Sequence, residues 1–137
     1  DGTVFFTGEL AGVLGWQDHD GERGMVAAST TVEENFPSEL AAGRDGRFVY
    51  VANRGPDTVS AFAWDGGKAT LVAEVPTGGS WPRHMALLFD HLYVANERSH
   101  TVTVFRLDPD TGIPYVQGEP IAEASPACIL GWERQHR

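Results

Sequence analysis

Phe48-Val49-Tyr50-Val51-Ala52-Asn53-Arg54 is an apolar run closed by an amide and a charge, and Leu92-Tyr93-Val94-Ala95-Asn96-Glu97 repeats it, with Asn96 43 residues after Asn53. Val4-Phe5-Phe6-Thr7-Gly8-Glu9 is a third copy, its Gly8 45 residues before Asn53. A second motif keeps nearly the same period. It reads Phe36-Pro37-Ser38-Glu39-Leu40, Trp81-Pro82-Arg83-His84-Met85 and Ser125-Pro126-Ala127-Cys128-Ile129, with the prolines 45 and 44 residues apart. Two unrelated motifs sharing one period mark a repeat architecture.

The unit inside each repeat is all β. Thr101 to Leu107 alternates with β-branched residues, the pattern of a half-buried strand. Asp45-Gly46, Asp65-Gly66-Gly67 and Asp108-Pro109-Asp110-Thr111-Gly112 are turns by composition. Ile113 to Gly118 reads as a weaker fourth strand, and no segment has a helical period. A four-stranded unit of this size is a β-propeller blade. Phe48 to Ala52, apolar on both faces, suits a blade covered by a neighbour on each side. The boundaries expected are an incomplete blade over 1–35, whole blades over 36–80 and 81–124, and from 125 to 137 the inner strand of a further blade and a tail. Rings need about four to eight blades, so 1–137 is a single partial propeller domain. Its open faces call for further blades or another copy.

Composition narrows the partners. The chain has 137 residues, 42% apolar and 21% charged, enough for one domain. A net charge of -9 with no basic stripe disfavours nucleic acid and an anionic membrane surface. No run is long enough to span a bilayer. Cys128 is the single cysteine, so no internal disulfide forms. The chain opens at Asp1 without an initiator Met, which predicts that it begins inside a longer sequence.

Antiparallel strands place the start of each innermost strand and the end of the next on one face. Glu9, Ser38-Glu39, Arg54, Arg83-His84, Asn96-Glu97 and Ala127-Cys128 therefore converge on one end near the channel. The apolar frame repeats while the polar residue changes from blade to blade, as a small-molecule site requires.

These residues resemble the lactonase family with a seven-bladed β-propeller, which includes a bacterial type of 6-phosphogluconolactonase and fungal carboxymuconate-lactonising enzymes. The matching stretches are Gly8 to Leu10, Pro37 to Glu39, Asp45 to Gly55, Pro82 to His84, Tyr93 to Asn96, Asp108 to Gly112 and Ser125 to Cys128. The resemblance covers nearly the whole chain and implies about seven blades, of which this is the C-terminal portion. It also implies that further site residues lie in the missing half, so the isolated chain is expected to be incomplete as an enzyme.

The function expected is hydrolysis of a small sugar lactone such as 6-phosphogluconolactone, in the cytoplasm. His84 would deprotonate a water, helped by a carboxylate, chiefly Glu39. Arg54 or Arg83 would stabilise the oxyanion or hold a phosphate. Glu9, Glu97, Asn96 and Ser38 complete the candidate substrate-binding set. The plainer alternatives are a structural histidine, arginines balanced by Glu9, Glu39 or Glu97, and strand-end asparagines serving turns. Cys128 reads as a small buried residue, and Arg44, Arg47, Arg98 and Arg106 as surface. His19, His91, His100 and His136 read as solvated. No metal-ligand spacing or cofactor motif is present, so none is expected. The alternatives to hydrolysis are lactonisation or cycloisomerisation of a muconate-type diacid, and a non-catalytic propeller that binds a protein or sugar.

Overall fold

Short apolar runs separated by Asp- and Gly-containing turns pair most readily with their neighbours in sequence. The computed structural model, which describes residues 2–31 and 34–134, is built that way throughout. The first sheet holds β1 (Val4–Gly8), β2 (Val13–Gln17) and β3 (Arg23–Ala27). The second holds β4 (Phe36–Ala42), β5 (Phe48–Arg54), β6 (Thr58–Trp64) and β7 (Ala69–Pro76). The third holds β8 (Pro82–Leu88), β9 (His91–Asn96), β10 (Thr101–Leu107), β11 (Pro114–Val116) and β12 (Ile121–Ala122). Every pairing is antiparallel. Among the described residues there is no helix, and so none that could cross a membrane.

The fourth strand of the third sheet is broken. β11 pairs one half of β10 and β12 the other, Phe105 facing Val116 and Val102 facing Ile121. Gly118 and Pro120 lie in the gap, and a proline cannot donate to a ladder. Residues 123–134 form no strand, so the inner strand expected from 125 is not formed in this chain.

The sheets stack side by side, β1 against β4, β4 and β5 against β8, and β3 against β7. Val49, Val51 and Phe62 of the middle sheet join Leu14, Trp16 and Ala28 of the first. Tyr50, Ala52, Val59 and Ala61 face the other way and join Met85, Leu92, Val94 and Phe105 of the third. This explains why β5 has no polar alternation: both of its faces are covered. Each such valine or phenylalanine contributes roughly 1.5–3 kcal/mol when fully buried. Phe105 is 1% exposed. It does not share the open outer face with Val102 and Val104, because neighbouring residues on a strand point to opposite sides.

Polar bonds stitch the stack at repeating positions. Ser60 Oγ donates to Ala28 O at 2.5 Å, and Thr103 Oγ1, 43 residues later, donates to Thr77 O at 2.7 Å. At the other end Tyr50 OH donates to Gly112 O at 2.7 Å, and burial pushes this phenol up to about 12, so it remains a donor. Gly112 has φ +75, and a Cβ there would lie 2.4 Å from the Phe48 ring. The turn therefore closes onto β5 only without a side chain.

Glu74 of β7 ties the first sheet to the second. It accepts from Ser29 Oγ at 2.5 Å, Thr30 N at 2.8 Å, Thr30 Oγ1 at 2.9 Å and Thr58 Oγ1 at 2.6 Å. Burial alone would raise its carboxyl, but these hydrogen bonds outweigh burial and hold it below the usual carboxylate range. A depressed folded-state value adds stability above the unfolded value and loses it as pH falls through the folded one. The denaturation midpoint should therefore fall as pH drops through and below the ordinary carboxylate range. Glu74→Gln should lower stability at neutral pH and flatten that part of the profile. An unchanged pH profile in Glu74→Gln would contradict this role.

Candidate functional site

The innermost strands of the second and third sheets carry the same irregularity at the same place. In β4 the register runs Pro37 to Asn53 and then Leu40 to Val51, so Ser38 and Glu39 face the single residue Ala52. In β8 it runs Pro82 to Asn96 and then His84 to Ala95, with Arg83 as the extra residue. Each is a β-bulge, which re-aims side chains that regular pleating would send elsewhere. The sheets are held in step here. Ser38 Oγ donates to Pro82 O at 2.7 Å and lies 3.3 Å from Ala52 O, while Thr7 Oγ1 donates to Ser38 O at 2.9 Å.

The equivalent residues of the two bulges meet. His84 Nε2 lies 3.0 Å from Glu39 Oε2, with side chains 22% and 37% exposed, so the pair is reachable by a small molecule. On its other side the imidazole accepts from the Ile129 backbone, N to Nδ1 at 3.0 Å. A backbone N–H only donates, so Nδ1 presents a lone pair. By this hydrogen-bond logic the neutral ring carries its proton on Nε2 and gives it to Glu39. Neither nitrogen then has a free lone pair for water. The expectation is that His84 itself deprotonates water; in this arrangement the neutral ring offers no free basic nitrogen for that step. The free basic oxygen of the pair belongs to Glu39, whose Oε1 accepts, among the described residues, from Leu40 N at 3.2 Å.

The remaining charges form two further pairs. Arg54 Nη2 lies 3.0 Å from Glu9 Oε1, and its Nε donates to Phe36 O at 3.0 Å. Its Nη1 meets no acceptor among the described residues. Arg83 Nη1 lies 2.5 Å from Glu97 Oε2. The three glutamates do not cluster. Each pairs with a different side chain: Glu9 with Arg54, Glu97 with Arg83 and Glu39 with His84.

Several side chains sit differently from what their sequence positions suggest. Asn96 is fully buried, so it cannot reach a substrate. Its amide donates to Thr101 Oγ1 at 3.3 Å and Thr103 Oγ1 at 2.9 Å, where it sets up the stitch to the preceding sheet. Ser38 uses its hydroxyl proton on backbone carbonyls, which leaves it a structural donor. Cys128, expected to be buried, is exposed. It occupies the position equivalent to Glu39 and His84, which faces the mouth, on a segment with no ladder neighbour. Among the histidines read as solvated, His91 is half-buried 2.8 Å from Asp90, and His100 accepts from Ser125 N at 2.9 Å. His19 is exposed beside Asp20, and His136 lies outside the described residues.

Two residues of this end were not singled out in the sequence. Trp81 lies between two guanidiniums, with Arg98 Cζ 3.7 Å and Arg54 Cζ 5.6 Å from its ring centroid. Phe36, its repeat equivalent, stands 6.0 Å away. Trp81 has φ +63, a left-handed value that costs about 1–3 kcal/mol for a bulky residue. Its N–H is held by Asp57 Oδ1 at 2.9 Å, and its carbonyl accepts from Glu97 N at 3.1 Å. The available signal was position: Trp81 immediately precedes the repeating proline.

A cleft of about 190 Å³ lies at the opposite end, between Arg44, Phe48, Tyr50, Phe89 and Pro109. It contains none of the paired residues above.

Residues 18–131 match the family described as lactonase, 7-bladed beta-propeller. The 6-phosphogluconolactonase of Bacillus subtilis is 34% identical over 98 residues, which is 67% of this chain and 28% of that protein. The 6-phosphogluconolactonase of Formosa agariphila is 38% identical over 81 residues, 55% of this chain and 23% of that protein. The solved Pseudomonas aeruginosa periplasmic gluconolactonase, PpgL, superimposes with a TM-score of 0.79 at 27% identity, over 91% of this chain and 38% of that one. The chain thus spans about a quarter of the curated relatives' length.

Asn53 has a partner for both ends of its amide. It donates to Thr58 Oγ1 and Ser60 Oγ and accepts from Asn35 Nδ2. Asn96 Oδ1, by contrast, is buried without a partner among the described residues. Asn53→Ala should therefore cost about 2–3 kcal/mol and Asn96→Ala about 1 kcal/mol in chemical denaturation. The reverse order would show that the two amides do not play equivalent structural parts.

Proposed function

The chain belongs to the lactonase family with a seven-bladed β-propeller, and we propose that the whole protein hydrolyses a small sugar lactone, with 6-phosphogluconolactone the favoured substrate. The relatives named 6-phosphogluconolactonase and gluconolactonase support that substrate class. The observation that carries the chemistry is the His84–Glu39 contact, in which the imidazole is anchored on both nitrogens.

On this reading Glu39 is the general base. Its carboxylate takes a proton from a water, and the water oxygen attacks the lactone carbonyl carbon. The carbonyl oxygen becomes a tetrahedral oxyanion, and Arg54 Nη1 supplies N–H donors to it. The intermediate collapses with cleavage of the ring C–O bond, and the leaving alkoxide takes the proton back from Glu39. The product acid then ionises, releasing one proton to solvent. His84 is a positioning residue that holds the Glu39 carboxylate through Nε2–H.

The outer face of the first sheet exposes Val4 and Met25, while Val102 and Val104 lie on the outer face of the third. Neighbouring blades of a seven-membered ring are the proposed cover for both. Arg54 and Arg83 each have a carboxylate partner, so local positive charge for an anionic substrate must come from elsewhere at this mouth.

A pH-indicator assay of the full-length protein with 6-phosphogluconolactone and gluconolactone tests the reading. Glu39→Gln should lower kcat by about 10²–10⁴. His84→Ala should lower it by about tenfold to a hundredfold through loss of orientation, and His84→Asn should restore part. No proton release above the spontaneous rate would favour a binding module. Wild-type turnover in Glu39→Gln would remove Glu39 from the mechanism.

A further inference from the structure

We propose that Arg98, stacked on Trp81, is the anion-binding group of this mouth and selects lactones that carry a phosphate monoester. The proposal rests on the lactone-hydrolase reading for its substrate but on separate residues for its argument.

Strand direction sorts the arginines of the strands and their turns. Arg23, Arg44, Arg47 and Arg106 lie at the end opposite the bulges, beside the turns that close β2, β4 and β10. Arg54, Arg83 and Arg98 lie at the mouth, where β5 and β9 end and β8 begins. Of these three, Arg54 is paired with Glu9 and Arg83 with Glu97. Arg98 forms no ion pair among the described residues. In a chain of net charge -9, it is the mouth guanidinium whose charge is not already answered.

The way Arg98 is held suits an anion. A guanidinium stacked on an indole uses its flat face and leaves the in-plane N–H edge for hydrogen bonds. Arg98 Cζ lies 3.7 Å from the Trp81 centroid, and among the described residues no acceptor meets its side-chain donors. The stack is also fixed from below. Arg98 N donates to Ser80 O at 3.2 Å, and Trp81 is anchored by Asp57 and Glu97 in its left-handed conformation. A strained aromatic held at a site mouth is a recurrent mark of a ligand clamp. A fixed fork of donors matches the paired oxygens of a phosphate.

The experiment compares wild type, Arg98→Ala and Arg98→Lys in the full-length protein, with 6-phosphogluconolactone and with gluconolactone. Arg98→Ala should lower the ratio of kcat/KM for the phosphorylated over the unphosphorylated lactone by about tenfold, chiefly through KM. Inorganic phosphate should inhibit Arg98→Ala about tenfold more weakly, and Arg98→Lys should recover part of both. An unchanged ratio in Arg98→Ala would overturn the proposal. A wild type that hydrolyses only gluconolactone would overturn it as well, while leaving the lactonase reading intact. If neither lactone is hydrolysed, the lactonase reading fails and phosphate titration decides for Arg98. Weaker binding in Arg98→Ala supports the assignment, and equal binding refutes it.

Discussion

The arrangement of the mouth depends on one extra residue in each innermost strand. A regular strand after Pro37 or Pro82 would alternate its side chains between the two sheet faces. The bulges at Ser38-Glu39 and Arg83-His84 break that alternation at equivalent points. Glu39 and His84, 45 residues apart in sequence, are thereby brought to 3.0 Å of each other. The bulges keep their places because Ser38, Thr7 and the buried prolines lock the strand starts together.

A stack of covered sheets supplies the rigidity this needs. β5 buries both faces, and the hydroxyl bonds Ser60 to Ala28 and Thr103 to Thr77 repeat along the stack. The frame therefore repeats because packing demands it. Residues on the bulges and strand ends are under no such demand, since they face the mouth and not a neighbouring sheet. The same position can then hold a carboxylate, an imidazole or a thiol, as Glu39, His84 and Cys128 do. Charge at the mouth is organised by pairing: Glu9 with Arg54, Glu97 with Arg83 and Glu39 with His84.

The repeat of Phe48–Arg54 at Leu92–Glu97 was enough to read the strands and their antiparallel order, because a period and a doubly apolar strand follow from chain geometry. The convergence of Glu39 and His84 was legible for the same reason. What was not legible depends on single side-chain choices. Asn96 reads as a mouth residue by position, yet its amide turns inward to Thr101 and Thr103. His84 reads as a base by residue type, and only the Ile129 amide shows that its second nitrogen is occupied. Arg98 is exposed, as its position suggests, but its contact with Trp81 is not legible, because nothing in the sequence says that Trp81 adopts φ +63 and lies against it.

The division of labour between Glu39 and His84 is the claim on which the chemistry turns, and the side-chain ¹⁵N spectrum of His84 at neutral pH tests it most directly. The expected result is a neutral ring protonated at Nε2, with Nδ1 carrying the shift of a hydrogen-bond acceptor and the Nε2 proton lost to exchange only slowly. A ring protonated at Nδ1, with a free Nε2 lone pair, would return the base to His84 and contradict the account.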